Sequence, residues 1–185
     1  LAVRVAKKLN GEIISADSRQ VYKGLNIGTG KISKKEMRGV PHHLLDVANP
    51  KKQFSVSDFV SKANKVITMI YHSAHLPIVV GGTGFYIDAL TGRANFPNVP
   101  ANLKLRAKLM KLANAKLFSM LEKKDPRRAA SIDANNKVRL VRALEIVETL
   151  GKVPSPAKWG QKHAFDGRGQ FIYIGLRPKD LDKRI

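Results

Sequence analysis

The sequence predicts an α/β protein in which a parallel sheet carries an all-helical insertion. Two short apolar runs, residues 13–16 and 77–80, have the length and composition of buried parallel strands. Each run lies beside a segment whose apolar residues recur at helical spacing, which is the alternation that parallel sheets require. A basic stretch without strand-like runs then separates these elements from a third apolar run, residues 171–176.

The first helix and strand are marked by spacing and by a stop signal. Apolar residues recur at helical intervals over residues 1–9, and Asn10-Gly11 is a pair that commonly ends helices. The apolar run of residues 13–16 follows and ends at Asp17. The sequence therefore predicts a helix, a turn and a buried strand whose carboxyl end carries a carboxylate.

A second helix and strand are predicted further along the chain. Residues 55–58 have the types of a helix start, and the apolar positions after them form one stripe. The strand of residues 77–80 continues into the turn Gly81-Gly82-Thr83-Gly84, and residues 85–90 are expected to be helical. Because open parallel sheets bind ligands at the carboxyl ends of their strands, this turn is expected to lie in a ligand crevice.

The remaining elements are predicted to be mostly helical. Residues 101–124 are expected to be helical and lysine-rich, and Asp125-Pro126 is a pair that begins helices. Residues 136–150 form another predicted helix, closed by glycine. Residues 171–176 are predicted to be a strand that returns to the sheet.

The predicted domain organisation has three parts. Residues 1–93 form the α/β core, residues 94–165 the helical insertion, and residues 166–185 the return to the core. The basic charge is concentrated in the middle: residues 94–164 hold 15 basic and 5 acidic side chains, against 14 and 6 in residues 1–93. An RNA-contacting unit is therefore expected in the insertion.

Composition limits the function classes. The chain has 34 basic and 14 acidic side chains, a formal net charge of +20, which favours a polyanionic partner, although a solubilising surface would also account for it. The absence of cysteine excludes disulfides and thiolate metal sites. No apolar run has the length of a membrane helix. We expect a cytoplasmic protein, and a monomer because the basic surface would repel itself.

Two strand ends carry candidate site residues. Asp17-Ser18 follows a predicted buried strand, where a carboxylate either accepts a proton in the crevice or caps the next turn. The Gly81–Gly84 turn either brings backbone close to a ligand, with Thr83 adding a hydroxyl, or is a plain tight turn.

Two further motifs resemble binding sites only superficially. Gly28-Thr29-Gly30-Lys31 resembles a phosphate-binding loop, but the five residues that precede the G-K pair in a P-loop, G-x-x-x-x, are lacking. The segment is therefore interpreted as a lysine-bearing loop. His42-His43 could suggest a metal, yet no second ligand pair lies at metal spacing, and structural histidines are the better interpretation.

Arginines on the predicted helices are candidate phosphate ligands. Arg139 and Arg142 lie three residues apart and therefore project from one side of a helix, whose other side is apolar. Arg106 and Arg127-Arg128 lie on neighbouring predicted helices. The set either contacts an RNA backbone or forms a solvated basic face.

Five segments, in this order, resemble the tRNA dimethylallyltransferase family, also called isopentenyl-tRNA transferases. They are DSRQVYKGLNIGTGK (17–31), PHHLLDV (41–47), FSVSDF (54–59), PIVVGGTGFYI (77–87) and VRLVRALE (138–145). Each segment alone is a weak signal, whereas the ordered set is specific, and the similarity extends over the whole chain.

The resemblance implies a P-loop NTPase-like core and a helical insertion that binds the tRNA anticodon stem-loop. It implies transfer of a dimethylallyl group from dimethylallyl diphosphate to N6 of adenosine 37, with Mg²⁺ on the diphosphate. Asp17 would be the general base, and Thr83 would help to place the reacting base. The residues expected to contact tRNA are Asp17, Ser18, Arg19, Gln20, Thr83, Arg106, Val138, Arg139, Leu140, Val141 and Arg142.

The sequence departs from the family pattern in one respect. No G-x-x-x-x-G-K-[ST] motif occurs in the 185 residues. The resemblance places this P-loop just before Leu1, with the diphosphate and metal ligands, and places another diphosphate-binding arginine after Ile185. These residues alone are therefore expected to be inactive and to lack a metal site.

Three other functions stay open on the sequence. An adenylate isopentenyltransferase acting on free AMP, ADP or ATP would share the core motifs, but the basic insertion argues against it. A P-loop kinase would bind nucleotide analogues more tightly than dimethylallyl diphosphate. A non-catalytic RNA-binding module would tolerate replacement of Asp17.

Overall fold

The computed structural model describes residues 1–94, 97, 99–154 and 171–176. The described residues form two compact units. The first comprises residues 1–93 with 171–176, and the second comprises those described from 94 to 154. The elements of the first unit are α1 (Ala2–Lys8), β1 (Gly11–Ser15), α2 (Lys34–Met37), β2 (His42–His43), α3 (Val56–His72), β3 (Leu76–Val80) and α4 (Gly84–Leu90). Those of the second are α5 (Leu103–Leu109), α6 (Asn114–Lys124), α7 (Pro126–Ala129) and α8 (Lys137–Leu150).

The sheet of the first unit has three parallel strands in the order β2-β1-β3. The predicted α/β class and parallel sheet are confirmed. Ile13 on β1 lies opposite His42 on one side and Ile78 on the other. The predicted helix stop at Asn10-Gly11 is confirmed, since α1 ends at Lys8 and Asn10 takes the left-handed conformation (φ 49°) before β1 begins at Gly11.

The core of the first unit lies between the sheet and helices α3 and α4. Ile14, Phe59 and Leu90 are completely buried, and the rings of Phe59 and Tyr86 stack with centroids 4.3 Å apart. The helix start predicted at residues 55–58 is confirmed as a capping box, in which Ser55 Oγ accepts from Asp58 N–H and Asp58 accepts from Ser55 N–H.

The second unit is helical, and its core lies between α6 and α8. Leu117, Leu121 and Leu140 are completely buried there. Residues 101–124 are helical as predicted, and they form two separate helices, α5 and α6. Residues 111 and 112 donate to carbonyls three residues back, which closes α5, and Ala113 is extended.

The predicted strand at residues 171–176 is also wrong, since these residues have no regular secondary structure. An apolar run becomes a strand only where a neighbouring strand offers backbone partners, and no ladder to this run occurs in the described ranges. Tyr173 instead packs against Arg93, whose guanidinium carbon lies 3.5 Å from the ring centroid. The remainder of the predicted return to the core lies outside the described residues.

No helix in the described part of the chain combines the length and the hydropathy of a membrane span.

Gly81 is required where β3 meets β1. A Cβ atom at this position would lie 2.2 Å from the carbonyl oxygen of Ala16, whereas a Cβ at Gly82 would meet nothing within 4 Å. We expect Gly81→Ala to lower the free energy of unfolding by about 2–3 kcal/mol, because backbone must shift to accept the methyl group. Urea denaturation measures this, with Gly82→Ala as the matched control. Equal effects of the two substitutions would contradict the steric explanation.

Candidate functional site

The carboxyl ends of β1 and β3 lie side by side. Ala16 N–H donates to the carbonyl of Val80 over 2.8 Å, and Thr83 N–H donates to the carbonyl of Ala16 over 3.2 Å. The close approach needs Gly81, which has no side chain to separate the two backbones. The turn after β1 and the turn after β3 are thereby joined at one edge of the sheet.

A hydroxyl group joins the two turns more closely. Thr83 Oγ1 accepts a hydrogen bond from Ser18 N–H at 3.0 Å and donates to Ser18 Oγ at 3.3 Å. We call this pair the Ser18–Thr83 junction. Thr83 stands at the N-cap position of α4 but makes no side-chain capping bond, so its hydroxyl serves the neighbouring turn. Two residues predicted to be in the site are thus in contact.

Asp17 lies next to the junction and uses only one of its carboxylate oxygens locally. Oδ1 accepts from the N–H groups of Arg19 (2.8 Å) and Gln20 (3.2 Å), which orders the turn. Oδ2 has no hydrogen-bond partner among the described residues. Asp17 therefore caps its turn, and its role as a proton acceptor stays a prediction that the position of Oδ2 permits.

Gln20 uses its side chain within the protein. Its Nε2 donates to the carbonyls of Thr29 (3.2 Å) and Gly30 (3.3 Å), and its Oε1 accepts from Ser15 Oγ at 3.5 Å. The carboxamide of Gln20 is therefore engaged within the protein, and its predicted contact with tRNA stays a prediction. Arg19 is exposed and lines an open cleft with residues 24–29.

Lys31 does not present its charge to a phosphate. Only 5% of its side chain is exposed, and Nζ donates to Asp46 Oδ1 at 2.6 Å and to the carbonyl of Tyr22 at 2.7 Å. The hydrogen bond from Lys31 lowers the pKa of Asp46, although burial opposes this effect. The interpretation of Gly28–Lys31 as a lysine-bearing loop agrees with this position.

His42 and His43 both contact polar groups within the protein, and His42 Nδ1 lies 2.8 Å from the carbonyl oxygen of Val40. His43 Nε2 lies 2.5 Å from Glu12 Oε2, and His75 Nδ1 lies 2.6 Å from Glu12 Oε1. The hydrogen bond with His43 lowers the pKa of Glu12, burial opposes it, and the bond with His75 lowers it further. No metal-binding group of three or more such side chains occurs within the described ranges.

Glu145 organises the arginines of the second unit. Its carboxylate is only 1% exposed and accepts from Arg106 Nε at 2.9 Å and Nη2 at 2.8 Å. Arg142 Nη1 donates to Glu145 Oε2, and Arg142 Nη2 donates to the carbonyl of Val99 at 3.0 Å. Asn102 N–H donates to Glu145 Oε1 at 2.6 Å. One buried carboxylate thus holds two predicted RNA-binding arginines.

The pKa of Glu145 follows from these contacts. Burial raises it, but hydrogen bonds from Arg106, Arg142 and Asn102 N–H outweigh burial and lower the pKa from 4.5 to about 2. The hydrogen bond to Glu145 likewise raises the pKa of Arg106, although burial opposes this effect. The group is therefore ionised at every physiological pH.

The predicted contact run 138–142 divides between surface and core. The side chain of Val138 is 69% exposed, Arg139 is exposed, and Arg142 keeps 35% of its side chain exposed. Leu140 and Val141 are 0% and 4% exposed and belong to the hydrophobic core. The expectation that Leu140 and Val141 contact tRNA is therefore wrong for their side chains, which the helix periodicity directs inward.

Arg127 and Arg128 also have partners in the protein. Arg127 Nη2 donates to the carbonyl of Val153 and lies 3.7 Å from Asp125 Oδ2. Arg128 is half-buried, and its backbone N–H donates to Asp125 Oδ1. Arg127 is therefore engaged within the protein and is a weaker candidate for phosphate binding than Arg139, whereas Arg128 Nε is buried without a partner among the described residues.

Sequence reasoning missed the role of Glu145. The residue stands in the quoted segment 138–145, and an acidic residue three positions after Arg142 on an apolar helix face was the available signal. The signal did not reveal Arg106, which is 39 residues away.

These features define a class: an α/β protein with a glycine-rich turn and a carboxylate at its strand ends, and a basic helical unit carrying ordered arginines. The chain belongs to the IPP transferase family, whose model matches residues 20–185. This finding confirms the resemblance noted in the sequence.

Named relatives agree with the family. A tRNA dimethylallyltransferase of Thermoanaerobacter sp. (strain X514) is 42% identical over 187 residues, covering 97% of this chain and 58% of that protein. One from Anoxybacillus flavithermus is 45% identical over 185 residues, covering 100% of this chain and 60% of that protein. The chain thus spans less than two thirds of these relatives.

Solved structures are similar as well. A eukaryotic dimethylallyltransferase acting on tRNA matches with a TM-score of 0.71 at 31% identity, covering 80% of this chain and 37% of that one. The full-length tRNA isopentenylpyrophosphate transferase of Bacillus halodurans matches with a TM-score of 0.52 at 45% identity, covering 81% and 51%. The α/β fold class with its parallel sheet is thus shared with these enzymes.

Glu145 makes stability depend on acid pH. Because its folded pKa is lowered to about 2 from 4.5, its contribution is present above pH 4.5 and is lost as pH falls towards 2. We expect the wild-type protein to lose about 2 kcal/mol more free energy of unfolding between pH 5 and pH 3 than Glu145→Gln. Urea denaturation at both pH values measures the difference. Glu148→Gln, at an exposed position, is the control. Equal losses of free energy of unfolding in wild type and Glu145→Gln would contradict the lowered pKa of Glu145.

Proposed function

We propose that this chain is part of an enzyme that transfers a dimethylallyl group from dimethylallyl diphosphate to N6 of adenosine 37 in tRNA. The observation that carries the proposal is the free Oδ2 of Asp17 beside the Ser18–Thr83 junction. Family membership and the names of the relatives support the reaction class.

Asp17 would act as the general base. The lone pair of an adenine amine is delocalised into the ring, so the amine must be aligned with the allylic carbon and lose a proton as the bond forms. The N6–carbon bond forms while the bond from carbon to the diphosphate oxygen breaks, and the N6 proton passes to Oδ2 of Asp17. Oδ1 stays bonded to the turn, which fixes the direction of Oδ2.

Thr83 and Ser18 would place the base at this carboxylate. Their mutual hydrogen bonds set the distance between the two turns, and each hydroxyl has further acceptor capacity for a substrate group. Arg19 is exposed next to them and can contact RNA phosphate or a neighbouring base.

The second unit would bind the anticodon stem-loop. Residues 94–164 carry 15 basic and 5 acidic side chains, which suits an RNA backbone. Arg106, Arg139 and Arg142 are the side chains we assign to phosphate contacts. Extruding a stacked base costs a few kcal/mol, which contacts of this kind must offset.

Magnesium would accompany the diphosphate rather than bind the described residues. No group of three or more metal-ligating carboxylates or histidines occurs in the part of the chain that the structure describes. The residues present therefore do not fit a metal site, and no step of the proposed reaction is assigned to the ion.

We further propose that the enzyme acts in the cytoplasm and as a monomer, because tRNA is its proposed substrate and its net charge is +20.

Replacement of Asp17 tests the proposal. We expect Asp17→Asn in the full-length protein to lower the rate of transfer by about 100-fold or more while tRNA affinity is nearly unchanged, because asparagine keeps an Oδ1 acceptor for the turn but cannot take the proton. Radiolabelled dimethylallyl diphosphate, Mg²⁺ and an unmodified tRNA with adenosines at 36 to 38 provide the assay, with AMP and ATP as parallel acceptors.

Asp133→Asn is the matched control, since Asp133 Oδ1 accepts from Asn135 N–H in an exposed turn of the second unit. Label in AMP or ATP instead of tRNA would move the enzyme to the class that modifies free nucleotides. Label in neither, or full activity of Asp17→Asn, would contradict the proposed reaction or the proposed base.

A further inference from the structure

We propose that Glu145 is a positioning residue for RNA binding: it holds the guanidinium groups of Arg106 and Arg142 in the orientation that contacts the RNA backbone. The inference rests on the proposed function, since it concerns how the second unit grips its RNA. It assigns a role in binding to an acidic side chain, although an acidic side chain near RNA would by charge alone oppose binding.

The carboxylate of Glu145 is fully engaged within the protein. Oε1 accepts from Arg106 Nε and Asn102 N–H, and Oε2 accepts from Arg106 Nη2 and Arg142 Nη1. At 1% exposure it cannot itself reach a surface ligand. Its effect on RNA must therefore pass through the groups that it holds.

The two arginines keep donors for a ligand. Each side chain is 35% exposed. Arg106 Nη1 and Arg142 Nε have no hydrogen-bond partner among the described residues, while the other nitrogens face Glu145 or the carbonyl of Val99. A guanidinium held on one edge presents its remaining N–H groups in a fixed direction, which suits the oxygens of a phosphate.

The local charge also favours this arrangement. Arg106 and Arg142 share Oε2 of Glu145, so two like charges are held close together by the carboxylate between them. Two cations and one anion leave a net charge of +1 next to the exposed N–H groups. Without the carboxylate the guanidinium groups would repel and sample other rotamers, and their ordering would then oppose binding.

Charge and positioning predict opposite results for one substitution. Glu145→Gln removes a negative charge near the RNA, so electrostatics alone predicts equal or tighter binding. If Glu145 positions the arginines, the same substitution weakens binding, because a neutral amide offers one acceptor oxygen to four donors and turns its NH₂ towards the N–H groups that the other carboxylate oxygen accepted. The sign of the change in affinity therefore separates the two explanations.

Glu148→Gln provides the matched control. It removes the same charge from the same helix, but Glu148 is exposed and paired only with Lys124 at the surface. We expect Glu145→Gln in the full-length protein to raise the Kd for tRNA about fivefold to tenfold and to raise KM for tRNA in proportion, with kcat at saturating tRNA nearly unchanged. Glu148→Gln should leave Kd unchanged or lower it slightly.

Fluorescence anisotropy with labelled tRNA measures Kd, and the transfer assay measures KM and kcat. A mutant cycle tests whether Glu145 acts through the two arginines. In a protein that already carries Arg106→Ala and Arg142→Ala, Glu145→Gln should cause no further loss of tRNA affinity. If Glu145→Gln does not fold, as judged by thermal unfolding, Arg106→Lys keeps the charge but loses the paired hydrogen bonds and should weaken binding by a similar factor.

Unchanged or tighter tRNA binding by folded Glu145→Gln would overturn the inference. An equal further loss in the double-arginine background would do so too. A fall in kcat with KM unchanged would assign Glu145 a general structural role instead, which also contradicts the proposal. If the wild-type enzyme transfers no label to tRNA, the proposed function fails, whereas normal transfer with an unaffected Glu145→Gln refutes this inference alone.

Discussion

The close approach of two strand ends, β1 and β3, is the constraint on which the first unit depends. Gly81 permits it because a side chain there would collide with the carbonyl of Ala16. The Ser18–Thr83 junction then fixes the two turns to each other, and the turn of Asp17 is ordered by its own carboxylate. The result is a carboxylate with Oδ1 bonded to its own turn and Oδ2 without a partner among the described residues, held in an ordered turn directly after β1.

In the second unit, contacts within the protein hold basic side chains in fixed positions. A buried carboxylate at the centre, Glu145, binds Arg106 and Arg142 at once, and its pKa of about 2 keeps it ionised. An uncompensated buried charge would be costly, but here each oxygen accepts at least two hydrogen bonds. Arg139 is exposed on the same helix, and no described residue bonds to its side chain.

The sequence predicted correctly the features that depend on residues close together in the chain. The capping box at Ser55 and the glycine turn after β3 depend on residues close together in the chain, and both were predictable. The sequence did not predict features that depend on residues far apart in the chain. The run 171–176 is apolar but meets no described strand, and the contact between Arg106 and Glu145 spans 39 residues. The bonds from the Gln20 carboxamide to the carbonyls of Thr29 and Gly30 likewise could not be predicted from periodicity.

Amide hydrogen exchange at Ser18 tests most directly whether the Thr83 hydroxyl holds the two turns together. Ser18 N–H donates to Thr83 Oγ1 at 3.0 Å, and serine at position 83 can replace that acceptor while valine cannot. We predict that Thr83→Ser retains most of the protection of the Ser18 amide and that Thr83→Val lowers it by about tenfold or more. Equal protection in wild type and Thr83→Val would contradict the account, because the two turns would then be held by something other than this hydroxyl.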